Sequence, residues 1–114
     1  MADRPQDYAV VLSSAATREQ ATMLARALVE RGLAACVSVV GPVRSVYRWK
    51  GSIADEEEHL LLVKSREDLG ERIAATLREL HSYELPEILV LPVRGGDPDY
   101  LAWLGASLAP EAEG

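Results

Sequence analysis

From Leu33 to Lys50 the chain runs eighteen residues, rich in β-branched positions and broken only by Gly41-Pro42. At about 3.3 Å per residue, such an arm reaches roughly 60 Å when extended. The first extended run, Tyr8–Ser14, reaches only about 23 Å. If the two share a sheet, the arm must project beyond it. Gly51-Ser52 follows the arm with Gly in the first central position of a two-residue turn, which suits type II′. In that register Arg48 opposes Asp55 and Arg44 opposes His59, and the strand returns through Glu56 to Lys64. A lone two-stranded ribbon is marginal in water. This one carries Val43, Val46, Tyr47, Trp49 and Ile53, with Tyr47 and Trp49 sharing a face. The overhang therefore requires a partner subunit, unless Gly41-Pro42 folds the arm back over its own chain.

Helical and extended patterns alternate around the arm. Thr17 with Gln20 is a capping-box pattern, and Ala21, Leu24, Ala25, Leu28 and Val29 recur at helical spacing before a stop at Gly32. A second helix is predicted to open at Ser65 with Asp68 as capping partner. Its stripe is Leu69, Ile73, Leu77 and Leu80, and it ends near His81. Pro86 precedes a short strand, Ile88–Leu91, closed by Pro92 and Gly95-Gly96. Asp97-Pro98 starts a last helix whose apolar face is Leu101, Leu104 and Leu108, with Pro110 ending it. The order βαββαβ with a C-terminal helix predicts an α+β, ferredoxin-like sandwich with a long central hairpin, two helices covering one face of a four-stranded antiparallel sheet. One domain is expected over 8–108, with flexible termini at 1–7 and 109–114.

Composition removes several functions. At 114 residues, 48% hydrophobic and 26% charged, the chain has the size and balance of one globular domain. A net charge of −6 argues against a nucleic-acid partner held by counterion release, and the central strands lack the aromatics that stack RNA bases. Apolar runs such as Leu60–Val63 are far short of the roughly 20 residues a membrane helix needs. The single Cys36 allows no internal disulfide. The polar start, 1–7, lacks a signal peptide's apolar stretch, so a cytoplasmic location is expected. There is no Ser/His/Asp constellation, HExxH or GxxxxGK loop, and none of the Asn on which acylphosphatases rely. Neither catalysis nor an organic cofactor is expected.

Leu33-Ala-Ala-Cys-Val37, Val46-Tyr-Arg-Trp-Lys-Gly51, Leu61-Leu-Val-Lys64, His81-Ser-Tyr-Glu-Leu-Pro-Glu-Ile88 and Asp99-Tyr-Leu-Ala-Trp-Leu104 occur in one order and spacing. Together they resemble the CutA family, named for divalent-cation tolerance, over about Val10 to Leu108. The resemblance implies a ferredoxin-like fold, a homotrimer built by edge-strand pairing with PII-like architecture, and a role in tolerance of copper and other divalent metals. Two departures stand out: Ser82 replaces a Pro frequent in relatives, and Ser13 stands where some relatives carry a second Cys.

Cys36 and His81 are the candidate metal ligands, since thiolate and imidazole both suit copper or zinc. A structural site usually takes three or four ligands, so subunits would have to pool them. The alternatives are a small packed cysteine and a histidine cation at a helix C-terminus. The run Asp55–His59 points to alternating faces and is expected to be a solvated edge paired in part with Arg44 and Arg48. Trp49, Lys64, Tyr83 and Glu87, with His81, form a candidate ligand cleft between subunits, in which Glu87 would pair with Lys64. Tyr47, Trp49 and Trp103 are the expected trimer contacts. Two functions follow: a trimeric protein binding copper or another divalent ion, or a PII-like signalling or scaffold trimer holding a small anionic effector in the cleft.

Overall fold

The alternation of Ala9, Val11, Ser13 and Ala15 with Val10, Leu12 and Ser14 gives β1 (Tyr8–Ala15) one fully buried face. The computed structural model describes residues 7–109. Helix α1 (Arg18–Glu30) starts where Thr17, in extended backbone, accepts a hydrogen bond from the Gln20 amide at 3.1 Å. It buries Ala21, Leu24 and Leu28. Gly32, at φ 73°, turns the chain out of the helix, a left-handed conformation that costs glycine little. Strands β2 (Cys36–Trp49) and β3 (Ser52–Arg66) form the long hairpin. A 3-10 turn, Glu67–Leu69, leads into α2 (Gly70–Leu80); β4 (Leu89–Pro92) and α3 (Pro98–Ala106) complete the order.

The four strands lie in the order β2-β3-β1-β4, all neighbours antiparallel. This is the predicted βαββαβ arrangement with an added helix. The core between α1, α2 and the sheet holds Leu24, Leu28, Leu61, Ile73, Leu77, Val11 and Val63, all under 2% exposed. Each such side chain contributes about 1.5–3 kcal/mol by leaving water. Asp97 caps α3 through the Tyr100 amide at 2.9 Å, and Leu104 and Leu108 dock the helix on the core. Asp7 and Ala109, placed by sequence in flexible termini, are tied to the body: the Asp7 carbonyl accepts from the Glu67 amide, and the Ala109 amide donates to the Gly32 carbonyl, each at 2.8 Å. The remainder of both termini lies outside the described residues.

Two predicted local features are corrected. The hairpin closes on the pair Trp49–Ser52, so the turn residues are Lys50 and Gly51, at φ 50° and 84°. Positive φ at both positions is the type I′ pattern, whose twist matches that of the strands. Arg48 therefore opposes Ile53, and Arg44 opposes Glu57. Arg44 reaches Asp55 diagonally, at 2.6 Å. The partners move by two residues, so Tyr47 and Trp49 still share a face. Second, Ser65 does not open α2. Ser65 and Arg66 continue β3 opposite Ala9 and Tyr8, the Ser65 hydroxyl donates to the Leu33 carbonyl at 2.6 Å, and Asp68 receives the Arg66 guanidinium at 2.8 Å.

Gly41-Pro42 neither ends a strand nor folds the arm back. Val40 pairs with Leu60 and Val43 with Glu58, so two residues of β2 stand opposite His59 alone. This is a β-bulge, which sharpens the local twist. A Cβ on Gly41 would lie 2.8 Å from the His59 ring carbon Cγ, which is why the close approach needs glycine. Since β1 pairs with β3 only from His59 to Arg66, the hairpin beyond the bulge has no further strand beside it. It projects, and the molecule measures 50 × 27 × 25 Å.

Candidate functional site

The strand period of two assigns every β3 side chain to a face. Leu61, Val63 and Ser65 meet the helices, whereas Leu60, Leu62 and Lys64 lie on the other face with Val10, Leu12 and Ser14 of β1 and Cys36, Ser38 and Val40 of β2. Among the described residues α3 reaches that second face only at its Tyr8 end, beside Gly105, and its middle, around Leu12, Leu60 and Leu62, is only half-buried. Beyond the bulge it continues as Glu58, Glu56 and Ala54 beside Val43, Ser45, Tyr47 and Trp49. There the segment from Ser82 to Glu87 lies beside it and bounds an open cavity of about 500 Å³. Tyr47, Trp49 and Tyr83 supply aromatic walls, Leu85 and Pro86 apolar ones, and Glu58, Glu84 and Glu87 the charge.

The segment is held by His81. Its backbone amide caps α2 on the Leu77 carbonyl at 2.8 Å. Its Nε2 lies 2.6 Å from the Ser14 carbonyl, and its Nδ1 accepts from the Tyr83 amide at 3.0 Å. A carbonyl can only accept and an amide N–H can only donate, so the ring carries its proton on Nε2 and is neutral in this arrangement. The Tyr83 ring stacks on it with centroids 4.6 Å apart. Ser82 adds an anchor by donating to Gln20 Oε1 at 2.6 Å, so the Gln20 side chain holds this segment rather than completing the capping box.

Tyr83 in turn donates its hydroxyl proton to Glu58 Oε2 at 2.6 Å. Burial, followed by this bond to a carboxylate, pushes the Tyr83 phenol far above the ordinary tyrosine range. Tyr47 is raised in the same direction by its hydrogen bond to Glu56 at 2.9 Å. Glu58 is only 6% exposed. The Ser14 hydroxyl lies 3.5 Å from Glu58 Oε2 and 3.4 Å from Glu87 Oε1. One hydroxyl proton cannot serve both carboxylates at once, and no ion pair among the described residues neutralises either.

The sequence-predicted site residues divide into three groups. Trp49, Tyr83 and Glu87 meet around the cavity, with His81 behind them. Lys64 does not join them: it pairs across to Cys36 on the edge strand, and its ammonium donates to Ser38 Oγ at 2.7 Å and lies 3.7 Å from Cys36 Sγ. The expected Lys64–Glu87 pair is therefore absent, because the strand register takes Lys64 to the far side of the sheet face. Cys36 and His81 are also apart, since His81 contacts the level of Leu60, the partner of Ser14, whereas Cys36 stands at Lys64. Both His81 nitrogens are engaged, and an ammonium adjoins the thiol. Ser13 faces the helices and Cys36 the opposite face, so a thiol in place of Ser13 would not meet Cys36 within one chain. Among the described residues no three His, Cys, Asp or Glu side chains gather as a metal group.

Glu58 lines the cavity, and sequence reasoning did not place it there. It lay inside an acidic run expected to be solvated, and three of its four carboxylates are so: Asp55, Glu56 and Glu57 are exposed, with Asp55 and Glu57 beside Arg44. The available signal was parity, because Glu58 shares its face with Leu60 and Leu62. The cavity also carries the opposite charge from the one an anionic effector requires. Three carboxylates and no basic side chain line it, and an anion entering it is repelled. Trp103 and Tyr100 stack at 5.5 Å but remain 48% and 45% exposed, so they do not pack α3 onto its own sheet.

The CutA1 divalent ion tolerance protein family matches residues 9–107. The chain belongs to that family. It is 44% identical over 109 residues to the divalent-cation tolerance protein CutA of Pectobacterium atrosepticum, spanning 95% of this chain and 99% of that one. The solved structure of the divalent cation tolerance protein from Thermus thermophilus superposes with a TM-score of 0.86 at 39% identity, over 90% of this chain and 99% of the other. CutA1 from Oryza sativa superposes with a TM-score of 0.90 at 34% identity, over 94% and 97%. The α+β fold and the family resemblance drawn from sequence both hold. The family is a tolerance family and not an enzyme family.

Proposed function

We propose that the chain binds divalent cations, copper foremost, as a homotrimer, and serves metal homeostasis in that form. One observation carries the reading: Glu58 is nearly buried, shares a single hydroxyl with Glu87, and has no basic partner among the described residues. A carboxylate withdrawn from water without a counter-charge is costly, and an incoming cation relieves that cost. Carboxylate oxygens suit hard cations, and copper(II) binds most tightly of the first-row divalent ions at a given set of ligands. Cys36 and His81 would serve as ligands only in an assembly that frees them, because His81 would first surrender the Ser14 carbonyl or the Tyr83 amide. The uncovered sheet face supports the trimer. Leu12, Leu60 and Leu62 on it are only half-buried, and Val40, Leu89 and Leu91 are exposed. Copies of the chain packed on that face would bury it and would also shield the open edge of β2. Tyr47, Trp49 and Trp103 remain the proposed contacts of arm and helix.

Isothermal titration of copper(II) and magnesium into the intact protein and into Glu58→Gln, Cys36→Ser and His81→Gln tests the site. Removing the Glu58 charge is expected to weaken both ions about tenfold or more, with Cys36→Ser near the parent. Copper binding untouched by Glu58→Gln but lost in Cys36→Ser would return the site to the thiol. No saturable uptake of any divalent ion by the intact protein would end the reading.

A further inference from the structure

The cavity is far larger than a metal ion requires: about 500 Å³, against roughly 30 Å³ for one water in the liquid. Its volume falls in the range of small-molecule pockets, about 300–1,000 Å³. Its walls also offer more than a bare ion uses, since beside the carboxylates Trp49, Tyr47 and Tyr83 present ring surfaces whose only ligand atoms are the phenols. Aromatic faces beside carboxylates suit an organic cation, which the ring quadrupole attracts while the carboxylates accept its N–H donors. The chain supplies its own example. The Lys50 ammonium lies 5.5 Å from the Trp49 ring centroid and 3.6 Å from Glu84 Oε1. A primary ammonium thus already rests on two elements of the cavity rim, whereas the buried Glu58 and the exposed Glu87 have no such partner among the described residues.

We propose that this cavity binds a small organic ammonium ion, with the charged nitrogen between Glu58 and Glu87 and the carbon chain against Trp49 and Tyr83. The inference rests on the reading of the cavity as a cation site, but not on which metal the protein takes. Lys50, mobile on its long stem, competes with the ligand for Trp49 and Glu84. Divalent ions compete with it for Glu58.

Putrescine titrated calorimetrically into the intact protein at low salt tests this, with 1,4-butanediol as the uncharged control and magnesium and copper(II) measured separately. Putrescine is expected to bind saturably and butanediol not at all. Trp49→Leu should weaken putrescine by about tenfold, the scale of a desolvated cation–π contact, measured on protein whose assembly state by sedimentation velocity matches the parent's. Lys50→Asn suits the left-handed turn position, and should tighten putrescine about threefold by removing the internal competitor. Absence of saturable putrescine binding in the intact protein overturns the proposal even where metals bind. Equal binding of butanediol, or putrescine binding indifferent to both Trp49→Leu and Glu58→Gln, overturns it as well. Failure of the metals alone would instead count against the divalent reading.

Discussion

Replacing Tyr83 with Phe removes one oxygen from the centre of the site while preserving the ring that stacks on His81. The lost bond is 2.6 Å long, to a carboxylate 6% exposed. Hydrogen bonds to charged groups are worth about 1.5–3 kcal/mol. Glu58 would retain only the Ser14 hydroxyl at 3.5 Å, although the half-buried Tyr83 leaves room for water to replace part of the bond. The expected loss is therefore about 2 kcal/mol, or roughly 8 °C in Tm for a chain of this length. Thermal and urea unfolding followed by circular dichroism at fixed protein concentration measure it, since assembly makes stability concentration-dependent. The pH dependence is a second readout. Because the folded-state phenol is raised above its unfolded value of about 10, its contribution is complete below about pH 10 and is lost as pH rises from there towards the folded value. The gap between parent and Tyr83→Phe should accordingly narrow above about pH 10. A loss under about 0.5 kcal/mol at neutral pH, the scatter of an ordinary surface substitution, would refute the buried Tyr83–Glu58 bond. So would an alkaline slope identical in both proteins.

Ser13 is fully buried and its hydroxyl has no hydrogen-bond partner among the described residues, so Ser13→Ala is expected to stabilise the protein by about 1 kcal/mol; destabilisation in urea titration would show that the hydroxyl is satisfied. Leu62 lies at the middle of the uncovered face, and Leu62→Lys should produce monomers or precipitate in sedimentation velocity, whereas an assembly unchanged from the parent would refute that face as the contact. Removing the hairpin tip from Arg48 to Asp55 should likewise prevent trimers, and clean trimers from that variant would mean the projecting arm is not what joins the copies.

Signals confined to a few adjacent residues carried most of the fold. Thr17 ahead of an apolar stripe and Asp97 ahead of Pro98 specify helix starts by chemistry that acts within one turn, and both stand where expected. The projecting hairpin followed from the unequal lengths of the first strand and the arm. What failed depended on partners distant in sequence. Ser65 and Asp68 have the spacing of a helix cap, but pairing with Tyr8 and Ala9 holds the segment in the sheet instead. Lys50 occupies a left-handed turn position that costs a lysine about 1–2 kcal/mol, which nothing in its neighbours announces; the twist of two long strands imposes it. The lining of the cavity was legible in outline because Trp49, Tyr83 and Glu87 do converge on it. Lys64 was misplaced and Glu58 overlooked for the same reason, since each is assigned by register and by the face it occupies rather than by residue type.

Native mass spectrometry of the intact protein, metal-free and then with copper, zinc or magnesium, tests the central claim most directly. The account predicts trimers that take up copper in multiples of three per assembly, and loss of that uptake in Glu58→Gln. Monomers, or trimers carrying only an unresolved series of weak adducts insensitive to Glu58, would contradict it.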